Sequence, residues 1–268
     1  MPFLSVLHGL RKGEITAGEL AVALANKEFV FHYQPEWDLK TNRIVGVEAL
    51  MRWNSPRRGH VPPMQFIPLL EKTGLIHKFT NFLFSQTLAD LAELHEIDPN
   101  LFMAVNLSVI QLQETNLVDT IKKGLEKNKI KAKYLECELS ESQELTEDIL
   151  SNNVLEQLAD LGISVSIDDF GTGYSSFVRL KQLNIQKLKI DLFFIRSLLK
   201  NKKNKAIVSS MIKLGHDLGF PVLAEGIETK RQQEWLKNND CDYGQGFLLS
   251  QALPLPKLKV FLKKHIKK

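Results

Sequence analysis

The chain is short of cysteine, of net charge and of long apolar runs, and each shortage excludes something. Cys137 and Cys241 are the only two cysteines in 268 residues, and they lie far apart. That excludes a disulfide scaffold and a multi-cysteine zinc site, and it suits a reducing cytoplasm. No apolar run reaches the roughly 18 residues that a membrane-crossing helix needs. The N-terminal MPFLSVLHGLRKG places its charges after its apolar stretch, the wrong order for a signal peptide. Lys and Arg number 35 against 31 Asp and Glu, a net +4 that is too small to point to a nucleic acid polymer as the main partner. Several catalytic signatures are also missing. His95-Glu96 lacks the second histidine of a zinc helix, and GTGYSS at 171–176 lacks the lysine of a phosphate loop. No G-x-S-x-G elbow occurs.

What the chain does have is a recurring alternation. Short β-type runs stand at 28–34, 44–52, 102–108, 134–140, 163–169, 186–191, 221–225 and 242–247. Helical patterns fall between most of them, at 79–94, 117–127, 155–161, 206–218 and 231–236. Eight strands alternating with helices predict an α/β fold, a (β/α)8 TIM-like barrel. The first two runs are joined by DLKTNR at 38–43, too short for a crossover helix. The first strand is therefore expected antiparallel to the rest, which modifies the barrel. No low-complexity linker divides the chain, so it reads as a single domain over 1–268. Residues 1–27 form a helical lead-in, 28–254 the barrel core and 255–268 a basic C-terminal helix. That last helix, KLKVFLKKHIKK, either packs on the domain with a solvated lysine face or touches anionic lipid.

Strand parity brings out the chemistry, because side chains alternate between the two faces of a strand. Val45, Val47 and Ala49 oppose Gly46, Glu48 and Arg52. Leu135, Cys137 and Leu139 oppose Glu136 and Glu138, and Ile163, Val165 and Ile167 oppose Ser164, Ser166 and Asp168. Asn106 aligns with Phe102 and Ala104, Lys187 and Lys189 share one face, and Glu225 ends its strand. The apolar face belongs against the helices, so the polar one points into the barrel. The polar groups gather toward the C-terminal strand ends, where this architecture carries its active sites. There Glu48, Glu138, Asp168, Asp169 and Glu225 with Lys189 leave a formal −4. Like charges about 5 Å apart repel by roughly 3 kcal/mol at an effective dielectric of about 20. Either several acids protonate or cations bind, and two divalent ions supply the balance. An all-oxygen donor set favours Mg²⁺ or Mn²⁺ over zinc. Asp168 and Asp169 are adjacent, so one can bridge two ions while the other binds the second. A two-ion site of this kind suits in-line phosphodiester hydrolysis.

At this point the sequence resembles the EAL-domain family of cyclic di-GMP phosphodiesterases. The naming motif stands as Glu48-Ala49-Leu50 within VGVEALMRW. YQP at 33–35, FIPLLEKTGLI at 66–76, NLS at 106–108 and ELSES at 138–142 also match, as do DDFGTGYSS at 168–176, KID at 189–191, AEGIET at 224–229 and QGF at 245–247. The resemblance implies that Glu48, Asn106, Glu138 and Asp168 ligate one metal ion. Asp168, Asp169 and Glu225 serve the second, directly or through water. It implies that Lys189 holds or polarises the attacking water and the phosphate, and that Gln245 helps to place water or metals. Gln34, Arg52, Asp191 and Glu228 resemble substrate contacts. Glu141 resembles the anchor of the DFGTGYSS loop, which the family uses as a switch coupled to dimerisation. The implied reaction opens cyclic di-GMP to linear 5′-pGpG in the cytoplasm, in a homodimer or under a separate sensor protein.

The chain departs from the family pattern at Leu192 and Phe193 in KIDLFF, at Gln65, and at Cys137 on the helix-facing side of its strand. Trp37 and Trp53, just past the first two strands, either pack in the core or border the site and stack on guanine. Two rival functions remain: a receptor that holds cyclic di-GMP uncut, and a partner-binding scaffold with a vestigial site.

Overall fold

The computed structural model describes residues 13–141, 153–172 and 184–265. Its strands are β1 (Phe29–Asp38), β2 (Ile44–Ser55), β3 (Gly59–Val61), β4 (Phe102–Leu107), β5 (Leu135–Ser140), β6 (Ser164–Phe170), β7 (Lys187–Ile190), β8 (Val222–Ala224), β9 (Tyr243–Gln245) and β10 (Leu253–Pro254). Its α-helices are α1 (Ala17–Ala25), α2 (Pro63–Lys72), α3 (Ile76–His95), α4 (Val109–Leu112), α5 (Leu117–Asn128), α6 (Val154–Asp160), α7 (Leu192–Arg196), α8 (Lys202–Asp217), α9 (Lys230–Asn238) and α10 (Leu255–His265). Among the described residues no helix is long and apolar enough to cross a membrane. The chain clusters into two compact units, one of residues 1–30 and 51–79 and one of 31–50 and 80–268.

The smaller unit is built on aromatic packing. Phe29 stacks on Trp53 at 5.5 Å and meets Phe79 edge-on at 4.6 Å, and Phe66 closes on both Phe29 and Trp53. Trp53 is fully buried, and its indole N–H donates to Glu28 Oε2 at 2.9 Å. It is thus a packing residue rather than a guanine platform. Helix α1 starts at Thr16, whose hydroxyl accepts the Glu19 N–H, and it buries Leu20 and Ala23. Arg58 holds it with a two-pronged pair to Glu19, Nε to Oε1 at 2.6 Å and Nη2 to Oε2 at 2.8 Å. The hairpin of β2 with β3 belongs to this unit as well.

The larger unit holds a closed barrel. β2, β4, β5, β6, β7, β8 and β9 run parallel in that order. β1 pairs antiparallel with β9 and also with β2, which closes the ring. The 38–43 turn explains the reversal. Asp38 Oδ1 accepts the N–H groups of Lys40 and Thr41, and Asn42 takes a φ of 58°. β1 continues past Gln34, through Pro35, as far as Asp38. Outside the ring, Trp37, Leu39, Ile190, Phe194, Ile212, Val222 and Leu236 share one apolar cluster, so Trp37 is also a packing residue. Cys137 is buried, as its parity foresaw.

Candidate functional site

Two lysines on β7 organise the polar interior. Lys187 and Lys189 are two residues apart, so both point inward, one layer above the other. In the lower layer Lys187 Nζ sits 2.7 Å from Glu36 Oε2 and 3.1 Å from Glu136 Oε1. Its ammonium also lies over the Phe102 ring, 4.7 Å from the centroid. A methyl group at Gly46 would reach within 2.5 Å of that ring, so glycine makes the room.

In the upper layer Lys189 is wholly buried among four carboxylates. Its Nζ is 2.8 Å from Glu138 Oε1, 2.8 Å from Glu225 Oε1, 3.5 Å from Asp168 Oδ1 and 3.7 Å from Glu48 Oε2. Asn106 donates its amide to Glu48 Oε1 at 2.7 Å and to Glu138 Oε2 at 3.4 Å. Gln245 donates to Glu48 Oε2 at 2.7 Å and to Gln34 Oε1 at 3.3 Å. Burial disfavours the charge on Lys189, but Asp168, Glu138, Glu225 and Glu48 outweigh it and hold the ammonium well above its usual range. Burial pushes the carboxyls of Glu138 and Glu225 well up, with Glu48 and Asp168 adding to it at Glu138 and Asp168 at Glu225. Burial acts the same way on Glu48. There Lys189 and the bonds from Gln245 and Asn106 prevail, and the carboxyl stays below its usual range.

Asp169 departs from strand alternation, which would place it opposite Asp168. It takes a φ of 58°, and the β6–β7 register slips between Ile167 and Phe170. The turn lets Asp168, Asp169 and Glu225 each offer an oxygen within 4.8 Å of the others. Ser140 Oγ donates to Asp169 Oδ2 at 3.2 Å. Burial, then the facing charges of Asp168 and Asp191, push the Asp169 carboxyl up to about 6. Glu141 anchors the following turn: its Oε2 accepts the N–H of Gly171 at 2.6 Å and of Thr172 at 3.2 Å. Ser142 and the 173–176 part of the loop lie outside the described residues.

The remaining sequence candidates fall into three groups. Gln34 reaches the cluster through Gln245, and its amide also donates to the Ser250 carbonyl. Asp191 faces Asp169 and caps α7 by accepting the Phe193 N–H at 2.7 Å. Glu228 is exposed, and its backbone N–H donates to Gln232 Oε1. Arg52 belongs to the smaller unit, where Nη1 donates to the Met51 carbonyl. Glu36 was missed because the sequence reading ended its strand at Gln34. The parity of Glu136 and Lys187 with their upper-layer neighbours was the signal that a second layer existed.

The cluster fits hard cations. Its donors are carboxylate and amide oxygens, and the spacing of the acid trio suits oxygens around one such ion. Among the described residues the buried Gln245 Oε1 has no hydrogen-bond partner, a spare acceptor beside Glu48.

The EAL domain family profile matches residues 17–252. The chain belongs to that family. It is 38% identical over 258 residues to the bifunctional diguanylate cyclase/cyclic di-GMP phosphodiesterase MucR of Pseudomonas aeruginosa, covering 95% of this chain and 36% of MucR. It is 37% identical over 254 residues to the cyclic di-GMP phosphodiesterase NbdA of the same organism, covering 92% of this chain and 32% of NbdA. A solved structure of the PaMucR phosphodiesterase in its c-di-GMP complex superposes with a TM-score of 0.84 at 39% identity, covering 90% of this chain and 98% of that one. The chain spans about a third of the length of these curated relatives.

The QGF signature of this EAL domain has a steric reason. Gly246 takes a φ of 153°, and an added Cβ would lie 2.3 Å from both N and O of Ile227. Those atoms are backbone and cannot step aside. The Ile227 N–H donates to the Gln245 carbonyl at 3.0 Å, so the close approach fixes the residue that holds Glu48. Gly246→Ala is expected to cost about 3 kcal/mol of stability, read as a lower urea midpoint with unchanged slope.

Proposed function

We propose that the chain is a metal-dependent phosphodiesterase that hydrolyses cyclic di-GMP to linear 5′-pGpG. The observation that carries this reading is the burial of Lys189 among Glu48, Glu138, Asp168 and Glu225, beside an acid trio spaced for a cation. The names of its relatives supply the substrate. In this proposal Glu48, Asn106, Glu138 and Asp168 would hold one Mg²⁺ or Mn²⁺, and Asp168, Asp169 and Glu225 the other. When bound, such ions supply Lewis acidity, lowering the pKa of water and offsetting charge on the phosphodiester.

The other roles belong to the chain's own groups. Lys189 stays protonated, so it donates a hydrogen bond to the attacking water and offsets phosphate charge; it does not serve as the base. Glu225, with Oε1 on Lys189, has Oε2 left to serve the second ion, directly or through the attacking water. Gln245 and Asn106 hold Glu48 ionised and oriented. Gln34, Arg52, Asp191 and Glu228 are the proposed substrate contacts, with Arg52 suited to a phosphate fork. Glu141 braces the turn after Asp169, a brace that keeps this carboxylate on the acid trio. The two buried free thiols suit the cytoplasm, where this reading places the chain. Homodimer formation and control by a separate sensor protein belong to the same proposal.

The deciding experiment incubates purified protein with cyclic di-GMP and Mn²⁺ and follows binding and product together. Release of pGpG that Glu48→Ala abolishes supports the proposal. Tight binding without turnover at any divalent concentration would assign a receptor instead, and no binding a scaffold. Divalent-ion affinity should weaken as pH falls through about 6, since the Asp169 carboxyl then carries a proton that a cation must displace. Calorimetry at several pH values checks this, and an affinity flat across that range would count against Asp169 as a ligand.

A further inference from the structure

Positive charge is distributed unevenly along this chain. Between Lys122 and Lys133 stand six lysines and one acid, Glu126, a formal +5. Helix α10 carries Lys257, Lys259, Lys263 and Lys264 with no acid, a further +4. The whole chain sums to +4, so the remainder carries −5, much of it in the barrel's carboxylate cluster.

The two basic segments flank one helix. α5 packs on α3 where Gly124 meets Leu88; a Cβ there would lie 2.7 Å from the leucine methyl. The turn after α5 meets the last residue of α3 through Tyr134 and His95, whose rings are 4.9 Å apart. α10 meets the same end of α3 through Lys259 and Glu93 at 2.9 Å. The apolar stripes of both helices are spent on the fold: Leu117, Ile121 and Leu125 of α5 and Leu258 and Leu262 of α10 are buried. Apart from Lys259, all these lysines are exposed. Among them Val260 is 56% exposed, an apolar tip within a basic face.

We propose that this lysine face docks the chain on an anionic lipid surface. Two observations favour lipid over nucleic acid. Neither basic segment contains an arginine, the residue suited to forked phosphate contacts; lysine acts as a hydrated point charge, which suits a diffuse headgroup layer. Lys122, Lys123 and Lys127 stand on α5 and Lys257, Lys263 and Lys264 on α10, all exposed, with Lys129, Lys131 and Lys133 exposed in the connection that follows α5. Val260 offers apolar area for a headgroup boundary and nothing for a base. The orientation follows from charge. Lys129, Lys131 and Lys133 lead into the N-terminal end of β5, opposite the end where the carboxylates gather. Contact through that segment therefore falls at the barrel end opposite the acidic mouth.

The test uses the full chain and phosphatidylcholine vesicles with and without phosphatidylglycerol. Co-sedimentation only with the phosphatidylglycerol vesicles, lost on adding salt, is the expected result. K122E/K123E/K127E and K257E/K263E/K264E should each lower the partition by roughly tenfold or more, and the matching arginine triples should retain it. Circular dichroism and thermal unfolding establish that each variant is folded. Three outcomes would overturn the proposal: no pelleting with anionic vesicles, equal pelleting of the glutamate triples, or displacement of the chain from vesicles by a short DNA duplex at matched phosphate. The last would assign the face to nucleic acid.

Discussion

Lys187→Met is expected to lower stability by about 3–5 kcal/mol, the range found when one partner is removed from a buried ion pair. In a chain of this size that is a loss of roughly 10 °C in Tm. The reason is the company the ammonium keeps. Glu36 is fully buried and Glu136 nearly so, and Lys187 lies within about 3 Å of both. Without it, two carboxylates must ionise side by side in the barrel interior or take up protons. Glu36 already has its carboxyl raised, by burial first and by Glu136 next, against the pull of Lys187. In the variant that raise grows. A carboxylate whose folded pKa exceeds its unfolded value makes the folded state the better proton binder, so stability falls as pH rises. The Tm deficit should therefore be largest near pH 8 and shrink toward about pH 5. Lys187→Met combined with Glu36→Gln and Glu136→Leu should recover most of the loss, because apolar or neutral groups of similar volume tolerate burial. A deficit independent of pH, or no deficit, would show that the lower layer is not held by its charge.

That lower layer marks how far the sequence could be read. Strand parity placed Glu48, Glu138, Asp168 and Lys189 together because period-two alternation survives small errors in strand ends. The same rule placed Glu136 with Lys187, but Glu36 fell outside, since the first run was bounded at Gln34. In the structure β1 runs through Pro35 to Asp38. Asp169 was legible only as a neighbour of Asp168. The left-handed turn that carries its carboxylate to the trio depends on tertiary register, which a local pattern does not encode. The β3 hairpin and the five-residue α7 are too short to show a period. The division into two units left no linker, because β1, β2 and α3 each run from one unit into the other.

Lys189→Met separates chemistry from cation binding. If Lys189 donates to the attacking water and the phosphate, its loss should lower turnover by roughly 10²–10³ or more, the scale for one buried transition-state donor. Binding of the divalent ion should behave in the opposite way. The ammonium offsets one of the negative charges in the cluster, and removing it leaves Glu48, Glu138, Asp168 and Glu225 unbalanced in a buried site. Without added cation the variant should be destabilised, since burial already pushes Glu138 and Glu225 well up even with Lys189 present. Adding Mn²⁺ or Mg²⁺ restores the missing positive charge, so each ion should raise the Tm of the variant more than that of the wild type. Lys189→Arg, which keeps the charge, should show neither the deficit nor the larger metal response, although its bulkier head will not restore full turnover. Were Lys189→Met to lose turnover and metal-dependent stabilisation together, the lysine would be a structural strut for the cation site. A thermal shift series in metal concentration, run beside product chromatography, distinguishes the two.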